Sequence, residues 1–343
     1  MFLLTSPSKN DKIPMISFKK FLLMEGGAGG HEPQPYDIAS TGPELIQLFR
    51  EAIPYLSQKK ATVKIDGTNL SVRLVDGEFV LDRGAIKDPR DLNGIKATDL
   101  EASNLNDGLK RNGKIVLDIM NDALPYTKSS LKKLGVLDNP NLILNLDFVD
   151  KNKVNVIEYP NVTNFLSIHG LRLGVTEKDS EGKVIRRTIV DTKVDLEALN
   201  SYTYSLNIIG KKKGFAILGP IQVALKSKPD LDSILKRKVK FGDNTKTLQQ
   251  WLENVTISHP MRTTRIRYKE LMASGGKDAT PRELNDSIIY YTAIALGDEI
   301  LKHCTSTLGP LNKQEGLVIR SGDRNFKITG SFILKSLDSP FQE

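Results

Sequence analysis

The sequence predicts an α+β protein in which antiparallel sheets are interrupted by a helical insertion. In the first half of the chain, short β-branched and apolar runs are separated by Asp-Gly turns, as in antiparallel hairpins. Residues 227–304 instead place apolar residues at helical spacing, and a strand-like run returns at Gly316. We therefore expect one sheet-rich domain, divided into 15–226 and 305–343, with 227–304 inserted between its two parts.

The first elements follow from local patterns. The polar stretch that runs up to Pro14 predicts a flexible tail at residues 1–14. Thr41 and Glu44 resemble a capping box at the start of a helix. The apolar residues that follow share one face of that helix: Leu45, Leu48, Phe49, Ala52, Ile53 and Leu56.

Strands are expected from residue 61 onward. The runs 61–65 and 70–75 flank the turn 66–69, which suits a hairpin, and Asp76-Gly77 predicts a second hairpin into 79–81. Residues 90–135 are expected to be largely helical. Further strands are predicted at 142–149, 154–159, 165–173 and 215–225.

The composition is typical of a globular protein with acidic partners. The chain has 343 residues, of which 39% are hydrophobic and 26% charged, so a sizeable core is expected. The net charge of +8 favours nucleic acid as a partner, although a solvated basic surface explains the same charge. No apolar run approaches the ~20 residues of a membrane span. The single cysteine, Cys304, permits no internal disulfide, and we expect a cytoplasmic protein that does not bind membranes.

The segment 227–304 contains a basic run at 236–240 and a helical pattern from Glu283 to His303. A solvated face and a contact for nucleic-acid phosphates are both compatible with the basic run.

Lys64 is the candidate nucleophile. It ends a β-branched run, directly before a tight turn. Free lysine has a pKa of about 10.4, so an attacking amine requires a lower pKa, from burial or a neighbouring cation. The apolar run around Lys64 predicts burial, and Lys327 is the candidate cation. Lowering this pKa by three units requires about 4 kcal/mol.

Two carboxylates are candidates for charge neutralisation. Asp147 and Glu315 both lie within apolar runs, where a carboxylate is costly unless it is paired or bound to a metal. Mg²⁺ held by carboxylates, together with Lys or Arg on the phosphates, is a common solution in phosphate chemistry.

In their order along the chain, the segments around Lys64, Asp147, Glu315 and Lys327 resemble the motifs of the covalent nucleotidyltransferase superfamily. This superfamily contains the ATP-dependent DNA and RNA ligases and the mRNA capping enzymes. Residues 64–67 match the family's Lys-x-Asp-Gly, whose lysine accepts the nucleotide. Residues 315–318 match its Glu-Gly-hydrophobic-Val motif. Thr68-Asn69 is most similar to the RNA ligases that seal breaks in duplex-like RNA.

The other motifs of the family are matched less closely. Arg83-Gly84 resembles an Arg-Gly element, and Phe165 is the candidate for an aromatic that stacks on the purine. Asp147 stands where the family usually has glutamate. Lys327 matches the first lysine of a Lys-x-Lys motif, whereas Thr329 replaces the second.

The resemblance implies a nucleotidyltransferase (ligase adenylation domain) fold and an ATP-dependent polynucleotide ligase, with RNA ends favoured. ATP and Mg²⁺ (or Mn²⁺) are implied as cofactors, and RNA ends or a nicked duplex as the partner. Lys64 would carry AMP, Asp66 would orient the sugar or the lysine region, Arg83 would contact ribose or the 5′-phosphate, and Lys327 would contact the α-phosphate. Asp147 and Glu315 would hold the metal or ribose. The implied nucleotide-binding residues are Val63, Ile65, Asp66, Gly67, Asn69, Arg83, Phe165, Glu315 and Lys327.

Alternatives remain open at this point. Only 14 residues follow Thr329, so no C-terminal OB-fold is expected, and a partner protein that supplies such a module stays open. A GTP-dependent capping-type nucleotidyltransferase would use the same lysine chemistry. Thr329 also leaves open a catalytically impaired nucleic-acid-binding protein with the same fold.

Overall fold

The computed structural model describes residues 32–82, 93–151, 157, 159, 164–276, 278–320 and 325–335. The predicted tail, Arg83 and most of the predicted strand at 154–159 lie outside these residues. The described chain is α+β with mainly antiparallel sheets, as predicted.

The strands in chain order are β1 (Ala61–Lys64), β2 (Thr68–Val75), β3 (Glu78–Leu81), β4 (Leu142–Val149), β5 (Phe165–Lys178), β6 (Val184–Asp191), β7 (Ala216–Leu218), β8 (Ala224–Leu225), β9 (Lys238–Phe241), β10 (Asn244–Thr247), β11 (Cys304–Ser306), β12 (Gly309–Pro310), β13 (Gly316–Ile319) and β14 (Phe326–Ile328).

The α-helices are α1 (Pro35–Ile38), α2 (Gly42–Ser57), α3 (Asp107–Lys133), α4 (Leu196–Lys212), α5 (Leu231–Leu235), α6 (Leu248–Leu252), α7 (Arg265–Ala273), α8 (Pro281–Lys302) and α9 (Phe332–Lys335). Thr41 is the N-cap of α2, as the sequence predicts, and its side chain accepts a hydrogen bond from the Glu44 amide.

A six-stranded sheet has the order β3-β2-β4-β5-β6, and β7 pairs in parallel with the start of β5. The predicted hairpin at Asp76-Gly77 is confirmed, because Val75 pairs with Glu78 across a two-residue turn. Both turn residues have positive φ, as a hairpin turn of this length favours.

One face of this sheet is apolar and packs on α3 and α4. Alternate residues of β2, β4 and β5 point into this core because side chains in a strand alternate between the two faces. They are Leu70, Val72, Leu74, Leu144, Leu146, Phe148, Leu166, Ile168 and Leu171. The site described below lies on the opposite, polar face.

A second sheet has the order β1-β13-β14 and packs with α2 and α8 into a separate core. The expected hairpin between the runs 61–65 and 70–75 is wrong, because β1 pairs with β13 while β2 pairs with β3 and β4. The turn crosses from one sheet to the other and passes close to β4. A Cβ atom on Gly67 would lie 2.9 Å from the carbonyl oxygen of Phe148, so only glycine fits there.

The segment 227–304 is mainly helical, as predicted, with one exception. Its basic run leads into a two-stranded hairpin, because β9 pairs with β10. The helices of this segment also bury apolar residues against the rest of the chain. Ile289 and Leu296 of α8 belong to the same core as Val63 of β1 and Leu317 of β13.

Candidate active site

The β1-β13-β14 sheet presents a functional face opposite its core. Lys64 pairs with Gly316, and Val318 lies between Thr62 on one side and Lys327 on the other. The alternate residues of the same strands are buried in the core. This alternation places both lysines on the face that looks away from the core.

The polar face of the six-stranded sheet lies against this surface. Register places its side chains in three rows across the strands. The first row is Asn69, Asp147 and Ser167, the second contains Ser71 and Asn145, and the third contains Arg73 and Arg172. A gap separates the polar face of the six-stranded sheet from the lysine-bearing face of the β1-β13-β14 sheet. The ion pair between Lys64 and Asp147 spans this gap.

The amine of Lys64 is held by two carboxylates. Its Nζ lies 3.2 Å from Glu315 Oε2 and 3.8 Å from Asp147 Oδ2, and it donates a hydrogen bond of 2.9 Å to the carbonyl oxygen of Ile65. The Lys64 side chain is 22% exposed, against 3% for Asp147 and 14% for Glu315. The lysine is therefore the member of the trio that solvent and ligands reach most easily.

The charge state of Lys64 differs from the expectation. Burial favours the neutral amine, but Glu315 and then Asp147 outweigh it and raise the pKa of Lys64 above its ordinary value. The predicted lowering of this pKa by burial and Lys327 is therefore wrong for this structure. The lysine whose pKa is lowered is Lys327, to about 8, because burial outweighs the attraction of Glu315.

The two carboxylates differ as well. Burial acts to raise the pKa of Asp147, but Lys64 and His169 hold it below its ordinary value. Burial raises the pKa of Glu315, and Lys64 and Lys327 reduce this rise without cancelling it. Asp147 is therefore the carboxylate held more firmly in its ionised form.

Both oxygens of Asp147 have partners from neighbouring strands. Asn69 Nδ2 donates to Oδ1 at 3.2 Å. Nε2 of His169 lies 2.8 Å from Oδ2, the oxygen nearest Lys64. His169 was missed in the sequence because the four histidines do not cluster along the chain.

A β-bulge places His169 there. Asn145 pairs with Gly170 and Leu146 with Ile168, so His169 is an extra residue on β5 with no direct partner on β4. Gly170 has a φ of +152°. Bulges commonly re-aim a side chain beside a functional site. A glycine inside an apolar strand was the sequence signal that could have indicated this bulge.

Asp66 is tied down at the crossing between the sheets. Its amide donates to Tyr159 Oη at 2.7 Å, and its Oδ2 accepts from the Ile157 amide at 2.7 Å. Tyr159 is buried, which raises its pKa well above the ordinary value, so it is a neutral phenol. Tyr159 lies in a segment predicted as a strand, and its contact with Asp66 could not be read from the sequence.

Glu315 is positioned by the backbone at Gly316. The φ of Gly316 is +151°, a conformation that side chains rarely adopt, and a Cβ there would clash with the carbonyl of Ile328. The Glu-Gly pair thus sets the angle at which β13 begins. On the neighbouring strand, the Lys327 amide donates to the carbonyl oxygen of Pro33.

Three predicted nucleotide-binding side chains lie elsewhere. Val63 and Ile65 are buried in the core on the opposite face of their strand, since they alternate with Lys64. Phe165 is fully buried and packs edge-to-face on Tyr159, so its ring is not available to stack on a base. Arg83 lies outside the described residues.

Asp147 and Glu315 fit a divalent cation in part. Their oxygens surround the Lys64 ammonium, and carboxylates are the ligands that Mg²⁺ prefers. Within the described part of the chain, no group of three or more His, Cys, Asp or Glu side chains forms a metal site. The set suits a metal that also takes ligands from substrate phosphates, as Mg²⁺ does in many phosphate-handling sites.

Thr329 is a polar residue of the core, without the charge that the resemblance implies at this position. Its Oγ1 accepts a hydrogen bond of 2.7 Å from Gln34 Nε2, and both residues are buried.

No protein-family model matches the chain, and no curated protein sequence matches it. Among the helices that the structure describes, none is long and apolar enough to cross a membrane.

Proposed function

We propose that this protein is an ATP-dependent polynucleotide ligase that carries AMP on Lys64 and joins 5′-phosphate to 3′-hydroxyl ends. The observation that carries the proposal is the Lys64 amine, held between Glu315 and Asp147 in a gap between two sheets. The motif resemblance described above supports the same assignment and, through Thr68-Asn69, favours RNA ends. The nucleotidyltransferase fold and a cytoplasmic location are parts of this proposal.

Each step assigns a task to groups of this chain. Lys64 attacks the α-phosphate of ATP, forming an N–P bond as pyrophosphate leaves. The AMP then passes to the 5′-phosphate of a polynucleotide, and a 3′-hydroxyl displaces AMP to close the break. Lys327 would contact the α-phosphate as a cation.

The structure sets one requirement for the first step. The ammonium of Lys64 must lose its proton before it attacks, because a protonated amine has no free electron pair. Asp147 and Glu315, which hold the ammonium, are also the residues that would hold Mg²⁺. A bound Mg²⁺ would supply charge neutralisation for the phosphates and compete with Lys64 for these carboxylates.

The test is covalent labelling. Incubation with α-labelled ATP and Mg²⁺ should give a labelled band that survives denaturation, and intact-mass spectrometry should show one added AMP. Lys64→Arg keeps the positive charge beside Glu315 and Asp147 but removes the nucleophile, so the adduct should be lost. The matched control is Lys60→Arg, at an exposed lysine just before β1. Adduct on Lys64→Arg at the wild-type level would refute the proposal.

A second candidate is a polynucleotide-binding protein that forms no adduct. The observation in its favour is Thr329, which supplies a neutral, buried hydrogen bond where the resemblance implies a lysine. Absence of label with both ATP and GTP would support this candidate, and label from GTP alone would indicate a capping-type enzyme.

A further inference from the structure

Three side chains near the C-terminal end of α8 form a hydrogen-bonded chain of the kind that activates a nucleophile. Ser227 Oγ lies 2.6 Å from His303 Nδ1, and His303 Nε2 lies 3.0 Å from Glu299 Oε1. A hydroxyl, an imidazole and a carboxylate in this order are the arrangement used in serine-based acyl transfer. The serine is exposed, whereas the side chains of His303 and Glu299 are 20% and 12% exposed. A dissolved substrate can therefore reach the hydroxyl, while its two partners are largely covered.

The local fold brings these residues together from the two ends of the segment 227–304. Strand β8 pairs with β11, and the Lys226 amide donates a hydrogen bond to the carbonyl oxygen of His303. Ser227 comes next in the chain and so lies beside the last turn of α8. Glu299 is four residues before His303, and residues at this spacing share one face of a helix.

The carboxylate fixes the direction of the hydrogen bonds. It has only acceptors, so the Nε2 proton of His303 is donated to Glu299, which also accepts from the Asp230 amide at 3.1 Å. In the neutral ring Nδ1 is then the acceptor, and the hydroxyl of Ser227 donates to it. The two ring nitrogens thus have the reverse of their roles in serine proteases, and either nitrogen of a neutral imidazole can act as the base.

Two backbone donors lie in the same loop as the serine. Among the described residues, the backbone amides of Ser227 and Lys228 make no hydrogen bond. Both amides are therefore available to the negative charge that develops on a carbonyl oxygen under attack.

The trio is separate from the Lys64 site. Gln222 pairs antiparallel with Thr62. The chain from Gln222 to Ser227 therefore runs away from Lys64, which follows Thr62 on β1.

We propose that Ser227, His303 and Glu299 form an active site separate from that of Lys64, which hydrolyses carboxylic esters through an acyl-serine intermediate. Ser227 Oγ attacks the carbonyl carbon of the ester while its proton passes to His303 Nδ1. The C–O bond to the alcohol then breaks, and the alcohol leaves with that proton. Water next attacks the acyl group and gives a proton to His303. The acid is released as this proton returns to Ser227 Oγ.

Glu299 is a positioning residue, because it acts through His303. It keeps Nε2 as the protonated nitrogen, and its negative charge lies beside the ring when the ring becomes positively charged. Helix α8 ends at Lys302, directly before His303, and a helix C-terminus favours a cation at this place.

The substrate class follows from the leaving group and from the position of the serine. An alkoxide leaves more readily than the nitrogen of a peptide, so an ester needs less help from a single acid and base. Ser227 is exposed in the loop between β8 and α5. The acyl group is therefore expected on a small or flexible molecule.

The first test is covalent labelling with a rhodamine-tagged fluorophosphonate, which reacts with serines that a base activates. Ser227 Oγ forms a bond to phosphorus as fluoride leaves. A labelled band is expected without ATP or Mg²⁺, and peptide mass spectrometry should place the label on Ser227. Ser227→Ala should lose the label. The matched control is Ser57→Ala, at an exposed serine whose hydroxyl donates to the Ile53 carbonyl.

The second test measures hydrolysis of p-nitrophenyl acetate. Ser227→Ala and His303→Gln should each lower kcat/KM at least about hundredfold relative to Ser57→Ala, because they remove the nucleophile or its base. Glu299→Gln keeps an acceptor for Nε2 but removes the charge, so kcat should fall about tenfold or more with KM unchanged. Thermal unfolding of each variant shows that it is folded.

Wild-type protein without label on Ser227 would overturn the proposal. Equal hydrolysis by wild type and His303→Gln would also overturn it, because the trio would then only join the two ends of the segment 227–304. Both measurements are made without ATP, so they are read independently of adduct formation on Lys64.

Discussion

Lys64 and Lys327 face the same gap, but their charges are stabilised differently. Lys64 has two carboxylate partners that raise its pKa, whereas burial lowers the pKa of Lys327 to about 8. A lysine with a raised pKa contributes stability that persists until the pH exceeds its ordinary value. Lys327 does the opposite, since its buried charge destabilises the folded state at neutral pH.

Replacement of Lys327 by methionine tests this difference. Between pH 8 and 10.5, the folded chain has released the Lys327 proton while the unfolded chain keeps it, so wild-type stability should rise with pH. Relative to Lys327→Met, the gain should approach about 3 kcal/mol across that window. Lys64 adds no slope there, because its raised pKa keeps it protonated in both states.

Urea unfolding of wild type and Lys327→Met at pH values near 7 and near 10 measures this gain. Lys335→Met, at an exposed lysine of α9, is the matched control. A stability difference between wild type and Lys327→Met that is the same at both pH values would contradict the assignment.

Single residues of the site were predicted unequally well. Lys64, Asp147 and Glu315 were identified together, because a lysine before a tight turn and carboxylates inside apolar runs are unusual in any core. His169 and Tyr159 were missed because their contacts depend on a bulge and on a long-range hydrogen bond. Gly170 is a local signal for the bulge, whereas the hydrogen bond between Tyr159 and Asp66 has no local sequence pattern.

At the level of elements, strands were predicted more reliably than their partners. The runs that became β1 and β2 were recognised, yet their pairing was wrong. An Asp-Gly turn fits both a hairpin and a crossing between sheets, and local spacing cannot separate the two. The crossing between the sheets depends on the close approach of Gly67 to the Phe148 carbonyl oxygen, and these two residues are some eighty positions apart in the sequence.

The hairpin β9–β10 carries the basic run predicted as a solvated face or a phosphate contact. Lys238 and Lys240 share its exposed face, opposite Thr247 and Thr245. On the other face, Val239 packs toward the core and Lys246 lies 5.0 Å from the Trp251 ring. The exposed face therefore carries two lysines, and both predictions for the basic run, a solvated face and a contact for phosphates, remain to be tested.

Charge reversal tests this surface. Lys238→Glu combined with Lys240→Glu should weaken RNA binding about tenfold and flatten its salt dependence, because each lysine on a phosphate displaces a condensed counterion. The control is Lys128→Glu combined with Lys132→Glu, at exposed positions of α3. It makes the same change in net charge, on a helix that packs on the other core. Equal effects of the two pairs would reduce the hairpin to a solvated face.

At the level of the whole molecule, the described residues form two apolar cores, and the candidate site lies between the sheets that cover them. The fold class could be predicted because periodicity distinguishes strands from helices. The division between the cores could not be predicted, because the segment 227–304 differs in sequence pattern from the rest of the chain but shares a core with β1 and β13. The boundaries at 226/227 and 304/305 therefore mark only a change of pattern along the chain.

Shortening one buried side chain of α8 tests whether residues 227–304 fold as an independent unit. Leu296→Ala should destabilise the protein by about 2–5 kcal/mol, because Leu296 is fully buried. Since its core includes Leu317, hydrogen exchange at the β13 amides should accelerate together with exchange in α8. Leu144→Ala, which shortens a buried side chain in the other core, is the control variant. Unchanged protection of β13 in Leu296→Ala would establish 227–304 as a separately folding domain.

The extra residue on β5 has a consequence for any shortened version of this chain. It shifts the parity of every later position in that strand, so that Leu171 joins the apolar side and Arg172 joins the side of Asp147. Deletion of His169 would remove the bulge without changing these directions, because Gly170, Leu171 and Arg172 would keep their partners on β4. Asp147 would lose the imidazole beside its Oδ2, and with it one of the groups that hold its pKa below the ordinary value, although no residue of the lysine motif had changed.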